Sequence, residues 1–333
     1  MTCYPKLRGY LSRAQQPLRC CLLLMLAMLS GQSVADSSAL PHVVFIAGKP
    51  SHGYGEHEHN AGGALLVKDL NASGLMRATL YRNGWPSKGI DKDASSVVLY
   101  MDGDGGHEAL EHMEELSALM ARGTGLAALH FATHVPEAIG ESVFLDWLGG
   151  YYNSETSTNP HWRAEFRLPG THAVNRGVHA FSALDELYFN LRFTQAAGLA
   201  RVLLATPPDA AREHVPHPRR HFYLFGGTAP QEVSNNKGRE ETIGWTLERS
   251  GGGRSFGFTG GHFHWNWGHE HYRKLVLNGI AWSAGVQIPP QGMPASALSF
   301  TQLDQGLDSD TPQLHSPREL AQKFRLKLDT PIP

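Results

Sequence analysis

The stretch KPSHGYGEHEHNAGG, residues 49–63, gathers His52, His57 and His59 with Glu56 and Glu58 among four glycines. Imidazole and carboxylate groups bind divalent metals, and both move protons near neutral pH. Glycine lets the backbone turn tightly between such groups. Three more polar clusters follow along the chain: Asp102, Asp104 and His107; His130 to His134; and His262, His264 and His269. The sequence carries 19 histidines, an excess that calls for a chemical reason.

Spacing limits which of these groups cooperate. His57 and His59 are two apart, so on a helix they face different ways and only one joins His52. His262 and His264, also two apart, share a face if the segment is extended. The candidate metal ligands are therefore His52, His130, His262 and His264, with His130, Glu56 and His57 as candidate catalytic groups. Without thiolates, such a set suits Zn, Mn, Fe, Co or Ni, and the residues alone do not choose among them. Two alternatives stay open: acid-base or sugar-binding histidines without a metal, and hydrogen-bonded loop histidines of purely structural use. His112, His179, His214, His217, His221 and His315 are assigned to surface or packing. Trp85, Asp102, His161, Trp162 and Trp265 are candidate substrate contacts, since an indole offers a flat apolar face and a polar edge to a sugar ring.

The elements that must position these groups alternate. HVVFIAG (42–48), ATLYRNGWP (78–86), SSVVLYMDG (95–103) and GLAALHFA (125–132) read as buried strands. Helical patterns span 58–73, 106–123 and 269–285. Strand and helix in turn predict βαβ units and a parallel sheet. Past residue 150 shorter strand-like pieces (WRAEFRL, ELYFNLRF, ARVLLATPP, HFYLFGG, ETIGWTLER) elaborate the core, and residues 251–261 form a glycine-bounded strand. Each polar cluster follows a strand, and in an open α/β sheet ligands bind at the carboxyl ends of the strands. The clusters are therefore expected on one rim. Residues 290–333, rich in Pro, Ser, Gln and Asp, read as a peripheral tail.

The chain opens with Lys6, Arg8, Arg13 and Arg19 and no acid, then CCLLLMLAML and the small-x-small Ser33-Val34-Ala35. That order is a secretory signal peptide, residues 1–35, and its apolar run is about half the length of a bilayer span. A secreted or periplasmic protein with no integral span in its mature form is expected. The leader takes four of 29 basic residues and all three cysteines, leaving 25 bases against 31 acids, a net charge of −6. The mature protein therefore has no disulfide or thiolate chemistry. It also lacks the concentrated basic face of a nucleic-acid binder.

Three motif matches fail on context. Gly253-Arg254-Ser255-Phe256-Gly257 fits G-x-S-x-G, yet no strand precedes the serine and no helix follows it. DGDGG at Asp102 begins like a calcium loop but has Met113 where a bidentate Glu is needed. No G-x-G-x-x-G follows the first strand, so no nucleotide cofactor is expected. Asn71-Ala72-Ser73 is a glycosylation sequon that matters only in a eukaryotic secretory route.

The motifs FIAGKPSHGYGEHEHNAG, GLAALHFA, Ser154 to Trp162, and GGRSFGFTGGHFHWNW followed by LVLNGIAWSAG resemble the ThuA-like (trehalose utilisation) family over residues 42–289. The resemblance implies a flavodoxin-like three-layer α/β sandwich with a mainly parallel sheet and extra strands in the second half, like that of class I glutamine amidotransferases. Those enzymes place a cysteine at an elbow where this chain has Leu129-His130-Phe131, so thioester chemistry is excluded. The resemblance further implies a small carbohydrate substrate, an oxidised (3-keto) glycoside or related sugar, and a functional link to a sugar dehydrogenase. An enzyme using His and metal for acid-base chemistry is expected; a non-catalytic sugar-binding accessory protein and a metal-dependent hydrolase are the alternatives.

Overall fold

The computed structural model describes residues 39–214, 231–309 and 315–328. The expected leader and the HFYLFGG segment lie outside them. Strand β1 (His42–Ala47) is buried at every position, with its side chains divided between two faces. Val43, Phe45 and Ala47 enter one apolar core, while Val44 and Ile46 enter another. That two-sided burial is why β1 reads as a continuous apolar run without polar alternation.

Around it run β2 (Arg77–Tyr81), β3 (Ala94–Tyr100), β4 (Gly125–Leu129), β5 (Gly150–Tyr151), β6 (His161–Phe166), β7 (Phe181–Glu186), β8 (Arg192–Phe193), β9 (Leu199–Ala205), β10 (Glu241–Glu248) and β11 (Arg254–Phe258). Seven strands form one sheet in the order β2-β1-β3-β4-β11-β10-β9. The first five are mutually parallel, and β10 and β9 extend the sheet antiparallel. The parallel part has the flavodoxin-like order, in which the progression of strands across the sheet reverses between β1 and β3. Helices α1 (His59–Ala72) and α3 (Glu270–Ser283) cover one face, with Leu66, Leu70, Leu275 and Ile280 in its core. Helix α2 (Met113–Ala121) covers the other through Leu116 and Leu119.

Three expectations change. The helix expected over 106–123 begins only at Met113; residues 104–112 form two 3-10 turns, the second capped by the His107 ring accepting the Ala109 N–H. Glycines at 103, 105 and 106 weaken helix propagation there. ELYFNLRF is not one strand, because β7 ends at Glu186 and β8 starts at Arg192. The tail is not peripheral: helices α4 (Phe300–Leu303) and α5 (Pro317–Phe324) bury Phe300, Leu303, Leu320 and Phe324 in the main core. Both carry complete Ser capping boxes, which stabilise helices too short to persist alone. Among the described residues no helix is long and apolar enough to cross a membrane.

Candidate active site

The loops after β1, β3, β4 and β11 converge beside the β1/β3 switch point, as the strand order requires. The loop after β1 is knitted to the loop after β11. His57 N–H donates to the His262 carbonyl at 3.0 Å, and His264 N–H to the Gly55 carbonyl at 2.9 Å. Gly55 has φ +79° and lies flat on the Trp265 indole, which a Cβ at that position would strike.

His130 begins the turn directly after β4 with φ +55°, and His57 has φ +48°. Left-handed backbone is unfavourable for residues other than glycine, and it concentrates where a side chain must be held in one direction. Both rings point into one buried cluster. The His130 Nδ1–H donates to the Thr259 carbonyl at 2.9 Å, and the His57 Nδ1–H to Asp102 Oδ1 at 2.8 Å. Because those partners only accept, each ring carries a proton on Nδ1 and turns its Nε2 inward, and the two Nε2 atoms lie 3.1 Å apart. Glu186 Oε2 is 3.2 Å from His130 Nε2 and 3.3 Å from His262 Nδ1. The Tyr188 hydroxyl stands 3.3 Å from His130 Nε2.

Burial and neighbouring histidines push the His57 pKa well below its ordinary value. Burial opposes ionisation of Glu186, but the His130 and His262 rings outweigh it and hold this carboxyl well below the usual range. Burial likewise lowers His262, and Glu186 and Glu56 outweigh it, raising its pKa to about 9.

His57, His130, Glu186 and His262 each offer one ligand atom, all within 4.8 Å of one another. Ligands of a tetrahedral ion bound at about 2.0–2.1 Å lie roughly 3.3 Å from each other, close to the separations seen here. Both ring nitrogens of His262 are buried and face carboxylates, Nδ1 towards Glu186 at 3.3 Å and Nε2 towards Glu56 at 3.8 Å. The Asp102 and Thr259 oxygens that hold the other nitrogen of His57 and His130 are the usual partners of metal-bound imidazoles. The donor set fits a divalent transition metal.

The other expected residues divide. His52 is exposed at the mouth, its ring tilted 33° over His57 at 3.6 Å and its Nδ1 2.8 Å from Ser51 Oγ. Glu56 is half-buried at the rim, 3.8 Å from His262 Nε2. His161 is half-exposed on β6, its ring 4.9 Å from that of His262. Asp102 is part of the cluster, and Trp85 is half-buried on the wall beyond it. His264 does not join: it opens a 3-10 turn instead of an extended segment, so its ring is buried away from His262, beside the Leu303 backbone. Trp162 and Trp265 are not rim platforms. Trp162 is almost wholly buried and donates to the Leu187 carbonyl, and Trp265 stacks on Phe300 inside the core.

Glu186 and Tyr188 complete the cluster without having been chosen from sequence. The one available signal was a carboxylate pair, Asp185-Glu186, at the end of a strand. Asp185 is the scaffold of the two, accepting from Gly261 N–H, Phe263 N–H and the Tyr272 hydroxyl, which fixes the loop carrying His262. Ser255 of the G-x-S-x-G match is buried in β11.

No curated protein matches the chain. Among solved structures it is similar to a protein described as ThuA-like from Bacteroides uniformis, at 14% identity and TM-score 0.51 over 76% of this chain and 95% of that one. It is also similar to one from Parabacteroides merdae, at 17% identity and TM-score 0.49 over 77% and 98%. A glutamine amidotransferase from Thermotoga maritima matches at 9% identity and TM-score 0.37 over 66% and 75%. At 14% identity the likeness to the first is one of fold. The family model described as trehalose utilisation matches residues 92–283, more than half of the chain, and the protein belongs to this ThuA family.

Proposed function

We propose that this is an exported carbohydrate-processing enzyme acting on an oxidised (3-keto) glycoside, with a divalent transition metal held by His57, His130, Glu186 and His262. The observation that carries the reading is the convergence of four buried ligand atoms, two of them on rings whose other nitrogen is already committed. The family's link to trehalose utilisation supports a sugar as substrate. The basic and apolar leader supports export.

When bound, the metal supplies a Lewis acid that polarises the sugar ketone. The chain's own groups handle the protons. The nearby His262 ring outweighs burial and holds the Glu56 carboxyl below its ordinary pKa, so at the rim it accepts the proton from the carbon beside the ketone. The C–H electron pair forms a double bond to the anomeric carbon as the bond from that carbon to the glycosidic oxygen breaks, and that oxygen takes a proton as it leaves. His161 and His52 border the mouth and can relay it. Partial desolvation beside the cluster holds both below their ordinary pKa, which favours passing a proton on.

Elemental mass spectrometry on gently purified protein, beside His130→Ala and Glu186→Gln, tests the centre. Near-stoichiometric metal in the wild type, lost in both variants, with turnover of a 3-keto-glucoside abolished in Glu56→Gln, is expected. Absence of metal from every form after supplementation with Zn, Mn, Fe, Co or Ni would remove the metal reading. Full turnover in Glu56→Gln would remove its role as base.

A further inference from the structure

A cavity of about 560 Å³ opens on the Asp102 side of the cluster, within the range of small-molecule sites. Its walls come from three loops at the carboxyl ends of β1, β2 and β3. It meets the reactive cluster through shared groups: Ser51 donates to Asp102 Oδ1 at 2.9 Å, and the same oxygen holds His57. From this cavity and its lining, the geometry points to a subsite for a neutral, unphosphorylated sugar ring, next to the reacting position. This deepens the proposed function and rests on it for the identity of the neighbouring chemistry.

The lining has the composition such a ring needs. Trp85 and His112 stack face to face, ring centroids 4.3 Å apart and 6° from parallel. The Trp85 indole N–H donates to Glu115 Oε2 at 2.9 Å. The aromatic wall is therefore locked before a ligand arrives, which lowers the entropic cost of binding. An aromatic wall suits the apolar C–H face of a pyranose. Glu108, Glu111, Asp102 and the Asn83 amide supply acceptors and donors for its hydroxyls, with Lys49 as the one cationic side chain among them. Three carboxylates against one ammonium repel a phosphate, so the lining discriminates against sugar phosphates and nucleotides. His112, assigned from sequence to surface or packing, is half of the aromatic wall.

Isothermal titration and saturation-transfer NMR with glucose, trehalose and glucose 6-phosphate, with and without added metal, test the subsite. The wild type is expected to bind both neutral sugars and to bind glucose 6-phosphate at least tenfold more weakly. Trp85→Ala should weaken sugar binding by roughly tenfold. Trp85 also packs on the core, so Glu108→Gln with Glu111→Gln serves as an independent surface variant and should weaken it severalfold. Glu108→Lys with Glu111→Lys should gain affinity for glucose 6-phosphate. His130→Ala should keep neutral-sugar binding while losing metal, which separates this subsite from the catalytic reading. The subsite is overturned if neither sugar binds, if the cavity variants bind sugar like wild type, or if glucose 6-phosphate binds as tightly as glucose.

Discussion

The Nε2 atoms of His57 and His130 face each other at 3.1 Å, while the Nδ1 of each is engaged by an acceptor, Asp102 for one and the Thr259 carbonyl for the other. Two imidazole nitrogens facing each other at that distance need a proton or a cation between them. The protein builds this arrangement from two left-handed residues, so it is held against local backbone preference.

Asp102 is therefore a positioning residue, and Asp102→Asn is expected to weaken metal affinity by roughly 10–100-fold, the usual effect of losing a carboxylate that orients a metal-binding imidazole. Competition with a chromogenic chelator measures it. An unchanged affinity would show that the His57 ring is oriented by packing alone.

The tail clasps the same loop from outside. The Asp308 carboxylate accepts from Asn60 N–H at 2.6 Å and Ala61 N–H at 3.1 Å, capping α1 from a segment about 250 residues away. Glu58 answers by accepting from the N–H groups of Gly55, Asp308 and Ser309. Loss of a helix N-cap costs about 1–2 kcal/mol, and Asp308→Ala is expected to lose that much in urea unfolding. Faster amide exchange over 55–61 should accompany it. A loss confined to residues after 300 would mean that the clasp does not support the site.

Strand positions and the rim location of His52, His57, Asp102, His130 and His262 were legible because β-branched apolar runs and strand-end polar clusters are local signals. Glu186 was legible only as half of a carboxylate pair flanking a strand, open to a buried ion pair or a substrate contact, since it reaches the cluster through the β6–β7 hairpin, whose placement depends on packing far along the chain from the first loop. His264 misled because an extended segment was assumed where a 3-10 turn starts. The tail misled because its polar composition hides a few apolar residues, among them Phe300, Leu303, Leu320 and Phe324, that the core takes in.

His107 makes stability fall with acid. Its Nε2–H donates to the Ala132 carbonyl at 3.1 Å and its Nδ1 accepts the Ala109 N–H. Burial lowers its pKa to about 4, outweighing the bond to the Ala132 carbonyl, which raises it. The unfolded chain takes up a proton below about pH 6.5 that the folded one refuses, so this group stabilises the fold above that pH and the contribution is lost on going down towards 4. The loss is about 1.4 kcal/mol per pH unit for one such group. His107→Asn keeps a capping acceptor without titrating in this range, so its unfolding free energy should vary less between pH 7 and 5. An identical slope would assign the acid lability elsewhere.

Backbone strain at His130 separates from its chemistry by comparing two deletions. His130→Ala and His130→Gly both remove the imidazole, its bond to Thr259 and its contact with Tyr188. They differ chiefly at φ +55°, which alanine resists and glycine adopts freely. Left-handed backbone costs a non-glycine residue roughly 1–2 kcal/mol, partly offset by the greater freedom of glycine in the unfolded chain. The glycine variant is therefore expected to be the more stable of the two, by about 1 kcal/mol in urea unfolding, with the metal lost from both. Equal stabilities would mean that the turn after β4 relaxes once the ring is gone. In that case the ring's own contacts in the cluster, and not the turn, impose the left-handed conformation.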